Sequence, residues 1–165
     1  MARRRAWLCR AGVWLAFALL AQACATPPTE EEVDAELRQI ASRVKPLPGQ
    51  LRIVPLMADS KMDALAKLAE STAEGKNGEP TQQARRLARV LAQGARLRVA
   101  VVTGGPYDTL NEQVVPSAFA VAKEKTPRLP GLTLVYVSPD PPTPEIRAAV
   151  ASVGAMLLHR TPAPR

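Results

Sequence analysis

The chain has 165 residues, enough for one ordinary domain. Its 22 Lys+Arg stand against 15 Asp+Glu, with one His and two Cys, which excludes a disulfide-stapled scaffold and a multi-Cys or multi-His zinc site. Hydrophobic residues make up 47% and fall in periodic blocks, which excludes a fully disordered chain. The amino terminus carries a positive head of Arg3, Arg4, Arg5 and Arg10. Residues 11–21 then run without a charge, and small residues follow at Ala21, Ala23 and Ala25. A basic head, a short apolar stretch and an Ala-x-Ala end are the anatomy of a secretory signal peptide. At 1.5 Å per residue the apolar stretch spans about half of a ~30 Å hydrocarbon core, so it makes a poor transmembrane helix.

The run LLAQAC, ending at Cys24, resembles the signal of bacterial lipoprotein precursors. Ala23 stands in the small position before the cysteine; Ala21 holds the place where those precursors usually carry Leu, with Leu20 one position earlier. The resemblance covers residues 1–24 only. It implies removal of a signal peptide at 1–23, acylation of Cys24 (palmitate among the acyl chains) and a mature chain held by lipid on a bacterial membrane. That chain would face the periplasm, with the outer membrane as the first choice of site. Cleavage after Ala23 or Ala25 to release a soluble periplasmic or secreted protein, or retention of the segment as an uncleaved anchor, are the alternatives. RRAWL, residues 4–8, also resembles a twin-arginine export signal with Trp7 in the aromatic place, so both export routes stay open.

Removing 1–23 takes four Arg and no acid, leaving 18 Lys+Arg against 15 Asp+Glu. The formal +7 of the whole chain falls to +3, and no dense basic stripe with interleaved aromatics remains, which argues against nucleic acid. Cys9 would leave too, so the mature chain could hold no intramolecular disulfide.

After a short tether at 24–28, Thr29 and Glu32 have capping-box spacing and open a helix. Its stripe is Val33, Leu37, Ile40 and Val44, and Lys45-Pro46 stops it. LRIVPLM, 51–57, reads as a short strand, and Pro55 inside it argues for an edge position or a strand that ends early. A helix is expected from Ser60 to about Glu74, then a loop-like EGKNGEP. A third helix spans roughly 81–93 with a stripe of Ala84, Leu87, Ala88 and Leu91. LRVAVVT at 97–103 and LTLVYVS at 132–138 read as buried strands. Between them lies a helix over about 110–125, with Pro116 kinking it or starting its second half. Thr143, Pro144 and Glu145 start the last helix, whose stripe is Ile146, Val150, Val153 and Leu157, with His159 at its end.

The two buried strands align at an offset of 35 residues, and the same offset pairs Val115 with Val150, Ala118 with Val153 and Ala122 with Leu157. Strands separated by single helices imply right-handed crossovers and a parallel sheet. The expected fold is a small three-layer α/β domain at 29–160, with a mainly parallel sheet of at least three strands and a frayed tail at 161–165. The first helix would cover one face or edge of so small a sheet.

In such a sheet ligands gather beyond the carboxyl ends of the strands. The candidate ligand loop is Thr103, Gly104, Gly105 and Asp108, with Asp59 and Asp140 from the flanking loops. It lacks G-x-G-x-x-G and a G-K-[ST] ending, so a turn is the simpler reading of the glycines. Each Asp could serve a carboxylate cluster, cap the next helix or stabilise a turn. No cofactor and no metal site is expected, and no catalytic residue is assigned. The Arg85, Arg86 and Arg89 face, with Arg96 and Arg98 nearby, is a solvated helix face or a contact for anionic headgroups. The expected function is a non-catalytic lipid-anchored envelope protein that binds a protein partner as an accessory or assembly subunit. The alternative is a small α/β enzyme or ligand binder using loop 103–108.

Overall fold

The computed structural model describes residues 27–43, 51–58, 63–64, 66 and 80–162. Segment 1–23, Cys24, Asp59, Val44 and most of the expected Ser60–Glu74 helix lie outside those residues. Among the described residues the elements are α1 (Glu30–Ser42), β1 (Leu51–Pro55), α2 (Gln82–Leu97), β2 (Ala100–Gly104), α3 (Asp108–Lys125), β3 (Thr133–Val137), α4 (Pro144–Ser152) and β4 (Met156–Arg160).

The capping signals act where the sequence puts them. Thr29 accepts a hydrogen bond from the Glu32 N–H while Glu32 accepts one from the Thr29 N–H, a full capping box before α1. Thr81 accepts from the Ala84 N–H at 3.2 Å and starts α2. Thr143 does the same for α4, with Pro144 at the first helical position, where a missing N–H costs nothing. Pro116 neither breaks nor starts a helix, because α3 runs through it as one element from Asp108 to Lys125.

The sheet is four-stranded and all-parallel, in the order β1-β2-β3-β4. Its register aligns Leu51, Ala100, Thr133 and Met156 across the strands. Side chains alternate between faces, and the two faces build separate cores. Val54, Val101, Leu134 and Tyr136 point to one, where they pack with residues of α2, α3 and α4, including Leu87, Leu91, Phe119, Ile146 and Val150. Ala100, Val102, Val135 and Val137 point to the other, which Val33, Leu37, Ile40 and Ala41 of α1 cover. Three crossover helices on one face, with strands added in sequence order, is the arrangement that uniform right-handed crossovers give. The α/β fold with a parallel sheet is therefore as the strand and helix spacing implies. The first helix covers a face, and each of its large buried side chains contributes about 1.5–3 kcal/mol.

The end of the chain departs from the expectation. The helix stripe does not continue to Leu157, and His159 is not at a helix end. α4 stops at Ser152, and Met156–Arg160 is a fourth parallel strand that carries both residues. The stop is a Schellman turn. The Ala155 N–H donates to Val150 O and the Gly154 N–H to Ala151 O, with Gly154 at φ 74°. Leu157 still reaches the α2–α4 core, but from the sheet.

Candidate functional site

The loops beyond the carboxyl ends of β1, β2 and β3 are built from the residues singled out above. Thr103 is buried, and its hydroxyl donates to Val54 O at 2.8 Å, which ties β2 to β1. At Gly104 a Cβ would sit 2.3 Å from Val137 O, and at Gly105 it would sit 1.9 Å from Leu56 O. Both glycines are thus required by the close passage of neighbouring backbone. That is a packing reason for the Gly-Gly pair, independent of any anion.

Asp108 is the first residue of α3, and the preceding N-cap, Tyr107, makes no side-chain cap bond. The Asp108 carboxylate does not cap the helix; its Oδ1 accepts from Ser138 Oγ at 2.7 Å. Ser138 Oγ in turn accepts from the Asp140 N–H at 3.2 Å. Loops 103–108 and 138–140 are therefore joined through the buried Ser138 hydroxyl, and Asp59 lies outside the described residues.

Two further residues enter that sequence reasoning did not assign to the site. Tyr136 is 1% exposed, and burial pushes its phenol up to about 12. A hydrogen bond with Ser138 works against that rise, and the negative charges of Asp108, Glu112 and Asp140 add to it. His159 lies beside Tyr136 in the register, with ring centroids 6.2 Å apart, and its Nε2 is 2.9 Å from Ser138 O. The ring meets the serine's carbonyl, so Ser138, His159 and Asp108 do not form a nucleophile–base–acid relay. The missed signal was the short strand MLLHR after Gly154, which sets His159 next to Tyr136.

Asn111, in the first turns of α3, is fully buried and donates from Nδ2 to Gly105 O at 3.2 Å; among the described residues its Oδ1 has no partner. Gln83 likewise donates to Met57 O at 2.7 Å, and its buried Oε1 has no partner among the described residues. Among the described residues no three of His, Cys, Asp and Glu are grouped to hold a metal ion.

On α2, Arg85, Arg86 and Arg89 are exposed, as are Arg96 and Arg98 beyond them. Arg86 makes a 3.7 Å ion pair with Glu30 of α1, which joins the two helix layers on the β1 side of the sheet. Both side chains are solvent-facing, so the pair contributes at most about 1 kcal/mol. Among the described residues no helix is long and apolar enough to cross a membrane. Compared with known proteins, the chain matches no family model, no curated protein and no solved structure.

Proposed function

We propose that the protein is a non-catalytic, lipid-anchored envelope protein that presents its α/β module to a protein partner, as an accessory or assembly subunit of an envelope machine. The strand order carries the non-catalytic half of this reading. Ligand crevices in open α/β sheets form where the strand order reverses and adjacent loops diverge. Here the order is sequential and no reversal occurs among the described strands. The residues that could have lined such a crevice are also engaged internally: Gly104 and Gly105 by the close passage of neighbouring backbone, Asp108 by Ser138. The anchor half rests on the sequence alone, on the basic head, the apolar run and Cys24.

The test is metabolic labelling with a tagged palmitate, followed by membrane fractionation, for wild type and Cys24→Ser. Label and membrane residence in wild type, both lost in the variant, support the reading. Full-length, unlabelled chain in the cytosol removes it. One observation favours a second reading, a ligand at loop 103–108: the buried Asn111 Oδ1 beside Gly105 has no donor among the described residues. Thermal shift with a panel of nucleotides, amines and divalent cations separates the two, because a ligand bound by the folded state raises the midpoint.

A further inference from the structure

We propose that β4 is a self-pairing edge, and that two copies of this chain join there by antiparallel β4–β4 contact into one continuous eight-stranded sheet. This goes beyond the partner-binding reading and does not depend on the anchor.

The hydrogen bonds already made by β4 fix which groups remain. The Met156 N–H donates to Leu132 O, and Arg160 O accepts from the Ser138 N–H. In a parallel ladder the inward groups fall on alternate residues, so Met156, Leu158 and Arg160 face β3. Leu157 and His159 turn their N–H and C=O groups outward, and among the described residues no strand lies beyond β4. No proline interrupts that outward rung.

The opposite edge differs. Leu56 N–H donates to Gly104 O, so the outward rung of β1 is Leu51, Ile53 and Pro55. Pro55 has no N–H to give, a common guard on edge strands. The guard stands on β1 and is missing on β4.

The β4 rung is complementary to itself. With a two-fold axis through Leu158, Leu157 of each copy faces His159 of the other, and all outward N–H and C=O groups of both residues are paired once the exposed Arg160 side chain, which in the single copy donates from Nη1 to His159 O at 2.8 Å, swings aside. Leu158 meets Leu158 on the α1 side of the sheet, flanked by Met156, which is 60% exposed in the single copy. Arg160 lies opposite the Met156 thioether of the second copy, so no like charges oppose each other. Neighbouring registers are poorer. An axis at His159 would stack His159 on itself. An axis at Leu157 would set His159 against Ala155, whose N–H is already given to Val150 O. Exposed residues of α4, beside this edge, include Ala148, Ala151 and Ser152, short enough to admit a neighbouring helix. A closed two-fold pairing of this kind uses the same strand on both copies and ends the sheet's growth at two chains.

The experiment uses the full-length chain in mild detergent, with Cys9→Ser and Cys24→Ser so that an introduced thiol is the sole one. Leu158→Cys should oxidise to a covalent dimer, because a directly opposed non-hydrogen-bonded pair brings Cα atoms to about 4.5 Å, within disulfide reach. Met156→Cys should remain uncrosslinked, since the two copies of residue 156 would be separated by about 14 Å along the strands. In sedimentation equilibrium Met156→Glu, facing Arg160, should tighten the dimer roughly tenfold, and Met156→Lys should weaken it by about as much. A tighter dimer cannot come from misfolding. A chain monomeric at 100 µM (roughly the concentration of a weak contact), a dimer indifferent to charge at 156, or a cross-link through position 156 in place of 158 overturns the proposal.

Discussion

At one edge of the sheet, β1 lies between α1 on one face and α2 on the other, and its outward rung is broken at Pro55. At the opposite edge, β4 has α4 on one face and an intact rung, with Met156 open to solvent. The asymmetry follows from connectivity. Each right-handed crossover adds its strand one place further along and lays its helix on the same face. The last strand is therefore always an edge, and the face away from the crossovers must be covered by something else. Only α1 does so among the described residues, and it lies mainly over β1 and β2. A sequential parallel sheet thus finishes one edge well and leaves the other underprotected.

The sharpest way to break the well-finished side is at Gly105. A Cβ there would sit 1.9 Å from Leu56 O, a main-chain atom that cannot swing away. Gly105→Ala must push β1 from β2, and Thr103 and Val54 lose their alignment with it. We expect a loss of about 3 kcal/mol or more by urea denaturation. A loss below about 1 kcal/mol would show that the loop carries more slack than its packing implies.

The next effect lies between β3 and β4 and is read by pH. The Tyr136 phenol, ordinarily at 10.0, is pushed up to about 12 by burial and by the nearby carboxylates. A raised value means that folding favours the neutral form. Its contribution is complete below pH 10 and disappears as the pH rises through 12. The amount is about 2–3 kcal/mol. Wild type should lose stability over that interval faster than Tyr136→Phe, which has no phenol to ionise. Parallel pH curves for the two proteins would mean that Tyr136 reaches solvent before the fold opens.

Much of this architecture could be read from residue spacing. The capping residues Thr29 and Thr143 lie at fixed offsets from their partners, a local relation that needs no tertiary context. LRVAVVT and LTLVYVS are apolar on both faces, which marks central strands, although β2 starts only at Ala100 because Leu97 ends α2 and Arg98 turns the chain, and Pro55 marks an edge. β4 was not legible because MLLHR is too short to distinguish a period of two from a continuation of the helix stripe before it. The stop at Gly154 was visible as a residue, yet only its positive φ shows that it ends the helix. The loop was harder still. Glycines at 104 and 105 are equally consistent with a phosphate cradle, and only Val137 O and Leu56 O, distant in sequence, decide for packing. Likewise Asp108 has the position of a helix-end carboxylate, but its partner is Ser138, thirty residues away.

The two smallest effects compare the turns that deliver the chain into β2 and β4. Both are Schellman turns: Val99 N–H donates to Gly94 O before β2, and Ala155 N–H to Val150 O before β4. The left-handed position is Gly154 at φ 74° in one and Arg98 at φ 54° in the other. Nothing lies within 4 Å of a Cβ at Gly154, so Gly154→Ala meets only conformational strain and should cost about 1–2 kcal/mol. Arg98→Gly is the reverse exchange, and relief of the same strain is partly offset by a freer unfolded chain. A gain of about 0.5–1 kcal/mol is expected, seen as a higher urea midpoint at unchanged slope. The Arg98 Cγ lies 3.3 Å from where a Cβ at Gly131 would be, so its stem packs over the turn before β3. If the midpoint falls instead, that stem stabilises the β2–β3 side by more than the left-handed backbone costs, and the arginine is there for packing.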